Sequence, residues 1–140
     1  MLLWMTSRST WNETADRLSR PYMVCRSRSF AQPGFARRHH RDPSNDLLLS
    51  AGSIWEIAIK VGLGKLLLSM PYKLWMTRAI SELGIAILSI TLAHADVQAG
   101  LPRHHGDPFD RLLIAQAMVE QVSIISGDAN MDQYGIKRIW

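Results

Sequence analysis

From Leu47 onward, apolar positions recur either every second residue in short runs or every three to four residues in longer ones, and turn signals separate the two kinds of run. That alternation predicts an α/β domain. Leu47 to Ser50 is a short apolar run suited to a buried strand. Ser53 and Glu56 have the S-x-x-E spacing of a capping box, and Ile54, Ile57, Ala58 and Val61 share a face, so a helix is expected from Ser53 to the glycines at 62 and 64. Pro71 opens a second helix, with a stripe of Trp75, Ala79, Ile80 and Leu83, and Gly84 stops it. Ile85 to Ile90 reads as a strand. Thr91 caps a short helix through Ala99, and Gly100, Pro102 and Gly106 mark a loop. Asp107 is an N-cap with Pro108 at the first helical position, starting a helix to about Gln121. Val122 to Ser126 and Ile136 to Trp140 read as the last two strands, with Gly127-Asp128 directly after the first of them.

Before Ser44 the pattern is different. Met5 to Pro43 mixes Arg, Ser, Pro and His without a sustained period, so no element is placed there, and the segment is expected to pack less well than the rest. Two regions follow from this break: an atypical basic segment at 1–45 and a domain at 46–140. The charge divides in the same way. Residues 1–45 carry eight arginines against three acids, while the remainder carries eight basic and nine acidic residues. The overall +4 is therefore weak support for nucleic-acid binding by the domain itself.

With 140 residues and 47% hydrophobic content, a single cooperative core is expected. No apolar run approaches the roughly 20 residues that span a bilayer, and Met1 to Met5 is too short for a secretory signal, so a cytoplasmic protein without a membrane partner is expected. Cys25 is the only cysteine, which excludes an internal disulfide, and no Cys/His spacing suggests zinc.

Three acids fall where an α/β fold can gather side chains. Asp128 follows a strand, Asp110 lies in the first turn of a helix, and Glu56 lies near the start of a helix that follows a strand. Carboxylates without cysteine or histidine suit a hard cation such as Mg²⁺ or Mn²⁺. Such an ion can acidify a bound water and stabilise charge on a phosphate, which is the chemistry of phosphodiester hydrolysis. Each acid also has a plain structural role open to it: Glu56 in the capping box, Asp107 and Asp110 at a positive helix end, Asp128 in a turn.

The strings Leu49-Ser50-Ala51-Gly52-Ser53-Ile54-Trp55-Glu56-Ile57-Ala58-Ile59-Lys60, His105-Gly106-Asp107-Pro108-Phe109-Asp110-Arg111-Leu112-Leu113-Ile114-Ala115-Gln116-Ala117 and Ser126-Gly127-Asp128 resemble three successive motifs of PIN-domain ribonucleases of the VapC toxin type. They occur in the family's order over about two-thirds of the chain. The resemblance implies a PIN fold with a central parallel sheet between helices. It also implies a Mg²⁺- or Mn²⁺-dependent endoribonuclease that acts on RNA, is restrained by a cognate antitoxin protein and forms a homodimer. Glu56, Asp110 and Asp128 then match catalytic, metal-binding acids, and Asp107 matches the start of the helix motif. One part of the family pattern is unmatched: a hydrophobic opening strand that ends in an aspartate. Met1-Leu2-Leu3-Trp4-Met5 resembles what normally follows that strand, and neither Asp16 nor Asp42 follows an apolar run. A domain without its first strand and first acid is expected, with activity impaired accordingly. A catalytically inactive remnant that binds an antitoxin or dimerises is the alternative. The lysine-free stretch before Ser44 reads like an out-of-frame segment.

Other residues have two readings each. His104 and His105 could bind metal or shuttle protons, or be exposed loop residues. Arg111, Lys60 and Arg103 could hold phosphates or be solvated charge. Ser126 could hydrogen-bond a carboxylate or end its strand. Trp55, Trp75 and Trp140 could stack on bases, but their apolar surroundings favour core packing.

Overall fold

The computed structural model describes residues 22–24 and 46–139. Its strands are β1 (Tyr22–Val24), β2 (Leu47–Ser50), β3 (Ala86–Leu88), β4 (Ser123–Ile125) and β5 (Arg138–Ile139). Its α-helices are α1 (Ala51–Gly62), α2 (Tyr72–Glu82), α3 (Leu92–Gly100) and α4 (Pro108–Glu120), and a 3-10 helix spans Ala129–Tyr134. The strands form one sheet in the order β3-β2-β1-β4-β5, with every neighbouring pair parallel.

β2 is four residues with no polar alternation, Leu47-Leu48-Leu49-Ser50, and all four are buried. A strand covered on both faces has this composition. β4 is buried along its whole length too. α4 lies deepest among the helices: its residues from Leu112 to Ala117 are all buried, so it is apolar around most of its circumference rather than on one stripe. Leu49, Ile57, Leu113, Ile114, Ile124 and Met131 form the centre of the core. Thr91 and His94 form a reciprocal cap at the start of α3, and the buried His94 ring reaches Glu120 at the end of α4 at 3.0 Å, tying the two helices together.

Two expectations are corrected. The N-cap of α1 is Ser50, whose hydroxyl accepts from the Gly52 N–H at 3.1 Å, so Ser53 and Glu56 lie inside the helix and do not form its capping box. The sheet also has a strand at its centre: β1 pairs with β2 on one side and β4 on the other. The segment read as lacking elements thus supplies the central strand. No acid follows it, since Cys25 and Arg26 come next in the chain. The packing expected of the rest of Met5 to Pro43, and the core placement expected of Trp140, lie outside the described residues.

Gly52 is where α1 meets α4. A Cβ there would stand 2.5 Å from Leu112 Cδ2, and Leu112 is itself buried. Alanine normally stabilises a helix by about 1 kcal/mol over glycine. Here overpacking is expected to outweigh that gain, and Gly52→Ala should lower stability by about 1 kcal/mol in thermal unfolding. A stabilised variant would show that the α1–α4 contact is loose.

Candidate metal centre

Where the strand order reverses beside β1, an open parallel sheet leaves a crevice beyond the carboxyl ends of its strands. Two of the expected acids meet there. Asp110 is the third residue of α4, placed by the Asp107 cap, whose Oδ1 accepts from the N–H groups of Phe109 at 2.9 Å and Asp110 at 3.4 Å. Pro108 at the first position lacks the N–H that would otherwise need a partner. Asp110 is buried. Asp128 comes three residues after β4. Its backbone N–H donates to Ser126 Oγ at 3.0 Å, and its own Oδ1 accepts from the Asn130 N–H at 2.9 Å, capping the 3-10 helix. That leaves Oδ2 facing the loop before α4.

His105 completes the group. Its Nε2 lies 2.8 Å from Asp128 Oδ2 and 3.5 Å from Asp110 Oδ2, and its side chain is only 13% exposed. The three residues offer ligand atoms that all lie within 4.8 Å of one another, so the group could hold a metal ion. Opposite oxygens around an octahedral Mg²⁺ are about 4.2 Å apart, so small side-chain adjustments close such a group on an ion. Carboxylate oxygens suit that class of cation, and the added imidazole nitrogen extends the set towards transition metals.

Glu56 is not a member of this cluster. It is buried in the second turn of α1, where Lys60 one turn on approaches its Oε1 at 2.5 Å. Lys60 is thereby engaged with a carboxylate. Arg111 is engaged differently: its guanidinium donates to the carbonyls of Pro102, Gln98 and Leu101, closing the carboxyl end of α3. Arg103 and His104 are exposed. Trp55 is 65% exposed, against the expectation of core packing, and stands edge-on to Phe109 with ring centroids 6.3 Å apart. Trp75 does pack against the core.

Tyr134 and Arg138 support the site without having been singled out in the sequence. Tyr134 Oη accepts from the His105 N–H at 2.8 Å and donates to the Pro102 carbonyl at 3.1 Å, pinning the histidine loop to the 3-10 helix. Arg138 grips both oxygens of Asp132 at 2.7 and 2.9 Å and donates to the Ser126 carbonyl at 2.8 Å, which fixes the turn carrying Asp128. Only the Tyr-Gly and Lys-Arg polarity near the last strand signalled either role.

The Asp128 carboxyl sits below its ordinary value near 3.8. Burial is the largest single influence and acts to raise it, but hydrogen bonds from His105 and Asn130, with attraction to the His105 ring, together prevail. A depressed folded-state value contributes stability in full above the unfolded value, and that contribution is lost as pH falls through the folded value. Asp128→Ala should therefore have a lower urea midpoint than the native chain near neutral pH, with the gap narrowing below about pH 4. A gap that stays constant to acid pH would leave only the cap, not the charge, as the stabilising feature.

The chain matches no protein-family model, no curated protein and no solved structure. Among the described residues, no helix is long and apolar enough to cross a membrane.

Proposed function

We propose that the chain is a PIN-type, metal-dependent endoribonuclease resembling the VapC toxins, acting on RNA in the cytoplasm and restrained by an antitoxin protein. The observation that carries this reading is the meeting of Asp110 and Asp128 within one ligand-sized cluster at the carboxyl ends of an all-parallel sheet. Asp110 and Asp128 would hold Mg²⁺ or Mn²⁺, while Glu56, paired with Lys60, lies outside the cluster. A bound divalent ion supplies an acidified water and charge stabilisation for phosphodiester hydrolysis. The protein's own part is to orient. The Asp107 cap and Pro108 fix the Asp110 backbone, the Ser126 hydroxyl and Asn130 N–H fix Asp128, and Tyr134 fixes the loop between them. Activity is weak in this reading, because the residue after the central strand is Cys25 and not an acid.

Incubation of the 140-residue chain with labelled single-stranded RNA tests the reading. Internal cleavage should need Mn²⁺ or Mg²⁺ and stop with a chelator. Cleavage that survives the chelator would rule out the metal mechanism.

A second reading is favoured by a separate observation. Trp55 and Ile59 in α1 and Leu63 at its C-cap recur every four residues and are 65%, 39% and 63% exposed, a stripe at the spacing of one helix face. Such a face is suited to burial against another protein surface, which fits a dimerising or antitoxin-binding module. Under this reading Ile59→Asp with Leu63→Asp abolishes self-association in sedimentation experiments while the fold is kept. An unchanged sedimentation profile would leave the stripe without that role.

A further inference from the structure

His105 touches both carboxylates of the candidate centre, and its hydrogen bonds determine what it can do there. A carboxylate only accepts, so the 2.8 Å contact with Asp128 Oδ2 requires a proton on Nε2. Its other nitrogen has the opposite role: Nδ1 accepts from the Asp107 backbone N–H at 3.3 Å and so carries no proton. Two partners on different elements thus select the same tautomer. A nitrogen that carries a proton has no lone pair to give a metal. Ligation through Nε2 would move the proton to Nδ1, where it would meet the Asp107 N–H and cost the bond that Nδ1 now accepts.

We propose that His105 is the cation's competitor at this centre and not one of its ligands: its Nε2–H holds Asp128 Oδ2 and approaches Asp110 Oδ2, and a divalent ion enters by displacing the imidazole. This rests on the reading of Asp110 and Asp128 as metal-holding residues. The displacement needs only a side-chain rotation. The His105 backbone stays in place, because its N–H is held by Tyr134, which is bonded in turn to Pro102. At 13% exposure the side chain is not fully sealed from solvent as it turns away from the carboxylates. The ion then meets carboxylate oxygen and water, the donors that Mg²⁺ and Mn²⁺ prefer. His105 therefore sets how much metal the centre requires before it fills, and it keeps two neighbouring carboxylates aligned until then.

The test uses Mn²⁺ with the full 140-residue chain, its His105→Ala variant and its Asp110→Asn variant. Pulsed electron paramagnetic resonance of the Mn²⁺-loaded native chain should show no directly bound imidazole nitrogen that His105→Ala removes. Calorimetry should give His105→Ala a tighter affinity than the native one, by up to about tenfold, whereas loss of a true ligand or its orienting partner weakens binding by roughly 10–100-fold. A nitrogen signal that disappears in His105→Ala, or binding by that folded variant that is unchanged or weaker, overturns the proposal. If the variant does not fold, the spectrum of the native chain decides: absence of bound nitrogen supports displacement and its presence overturns it. Asp110→Asn separates the two levels. Undiminished Mn²⁺ binding there would overturn the metal centre itself and this inference with it, while a lost site in Asp110→Asn beside a nitrogen signal from His105 overturns this inference alone.

Discussion

Asp110→Asn is expected to lower Mn²⁺ affinity by about 100-fold, at the upper end of what loss of a metal-orienting group produces, and to take the weak metal-dependent RNA cleavage of the native chain down to background. Asparagine keeps the shape of the side chain and an oxygen that can accept from His105, but it removes a full negative charge from a buried position. A hard divalent cation draws most of its binding from such charge. The fold should survive. The helix start is capped by Asp107, and Leu112 to Ala117 anchor α4 in the core. A change in unfolding free energy within about 1 kcal/mol is expected, typical of a shape-conserving substitution. Parallel calorimetry, urea unfolding and cleavage assays check this. Loss of cleavage with unchanged Mn²⁺ affinity would mean that Asp110 acts on the substrate and not on the ion.

The parts legible in the sequence are those whose local signals are self-contained. Asp107-Pro108 announces the start of α4 because an N-cap acceptor and a residue without an N–H are both local needs of a helix end. Leu47 to Ser50 reads as a strand because all its side chains are apolar or small. The start of α1 was displaced by a turn for a physical reason: Ser50 and Ser53 are equally good caps in composition, and the choice fell to Ser50 because the strand runs directly into the helix without a loop. Glu56 thus stands in the helix interior, one turn before its partner Lys60, and is not among the clustered ligand atoms. β1 was not legible. Its three residues, Tyr22-Met23-Val24, are too few to establish a period, and what makes them a strand is pairing with β2 and β4, which no local window contains. His105 was legible in part: the sequence offers it as a metal-binding or proton-shuttling loop residue, but only contacts with Asp128 and Tyr134, far along the chain, bring it to the centre. Arg111 shows the converse. A cation beside an acid suggested phosphate binding, but the nearby end of α3 offers three carbonyls in need of donors.

Cys25→Asp is expected to strengthen the centre. β1 lies at the point where the strand order reverses, in register with β4 through Val24 and Ile125, and Asp128 follows the end of β4. β1 ends at Val24, on the side where ligands of open parallel sheets gather, and Cys25 is the next residue in the sequence. With Asp110 and Asp128 as the two carboxylates of the cluster, an octahedral Mg²⁺ must keep most of its waters, and an ion held this way is held weakly. A third carboxylate replaces a water with a charged oxygen. Mn²⁺ affinity should rise by roughly tenfold, equivalent to about 1.4 kcal/mol. RNA cleavage at millimolar Mg²⁺, near background in the native chain, should become measurable in Cys25→Asp and disappear again when Asp110→Asn is added. Cys25→Ser serves as the control, since it removes the thiol without adding charge and should behave like the native chain. If Cys25→Asp and Cys25→Ser bind Mn²⁺ equally well, the end of β1 does not face the metal, and weak activity in the native chain must have a cause other than the missing acid.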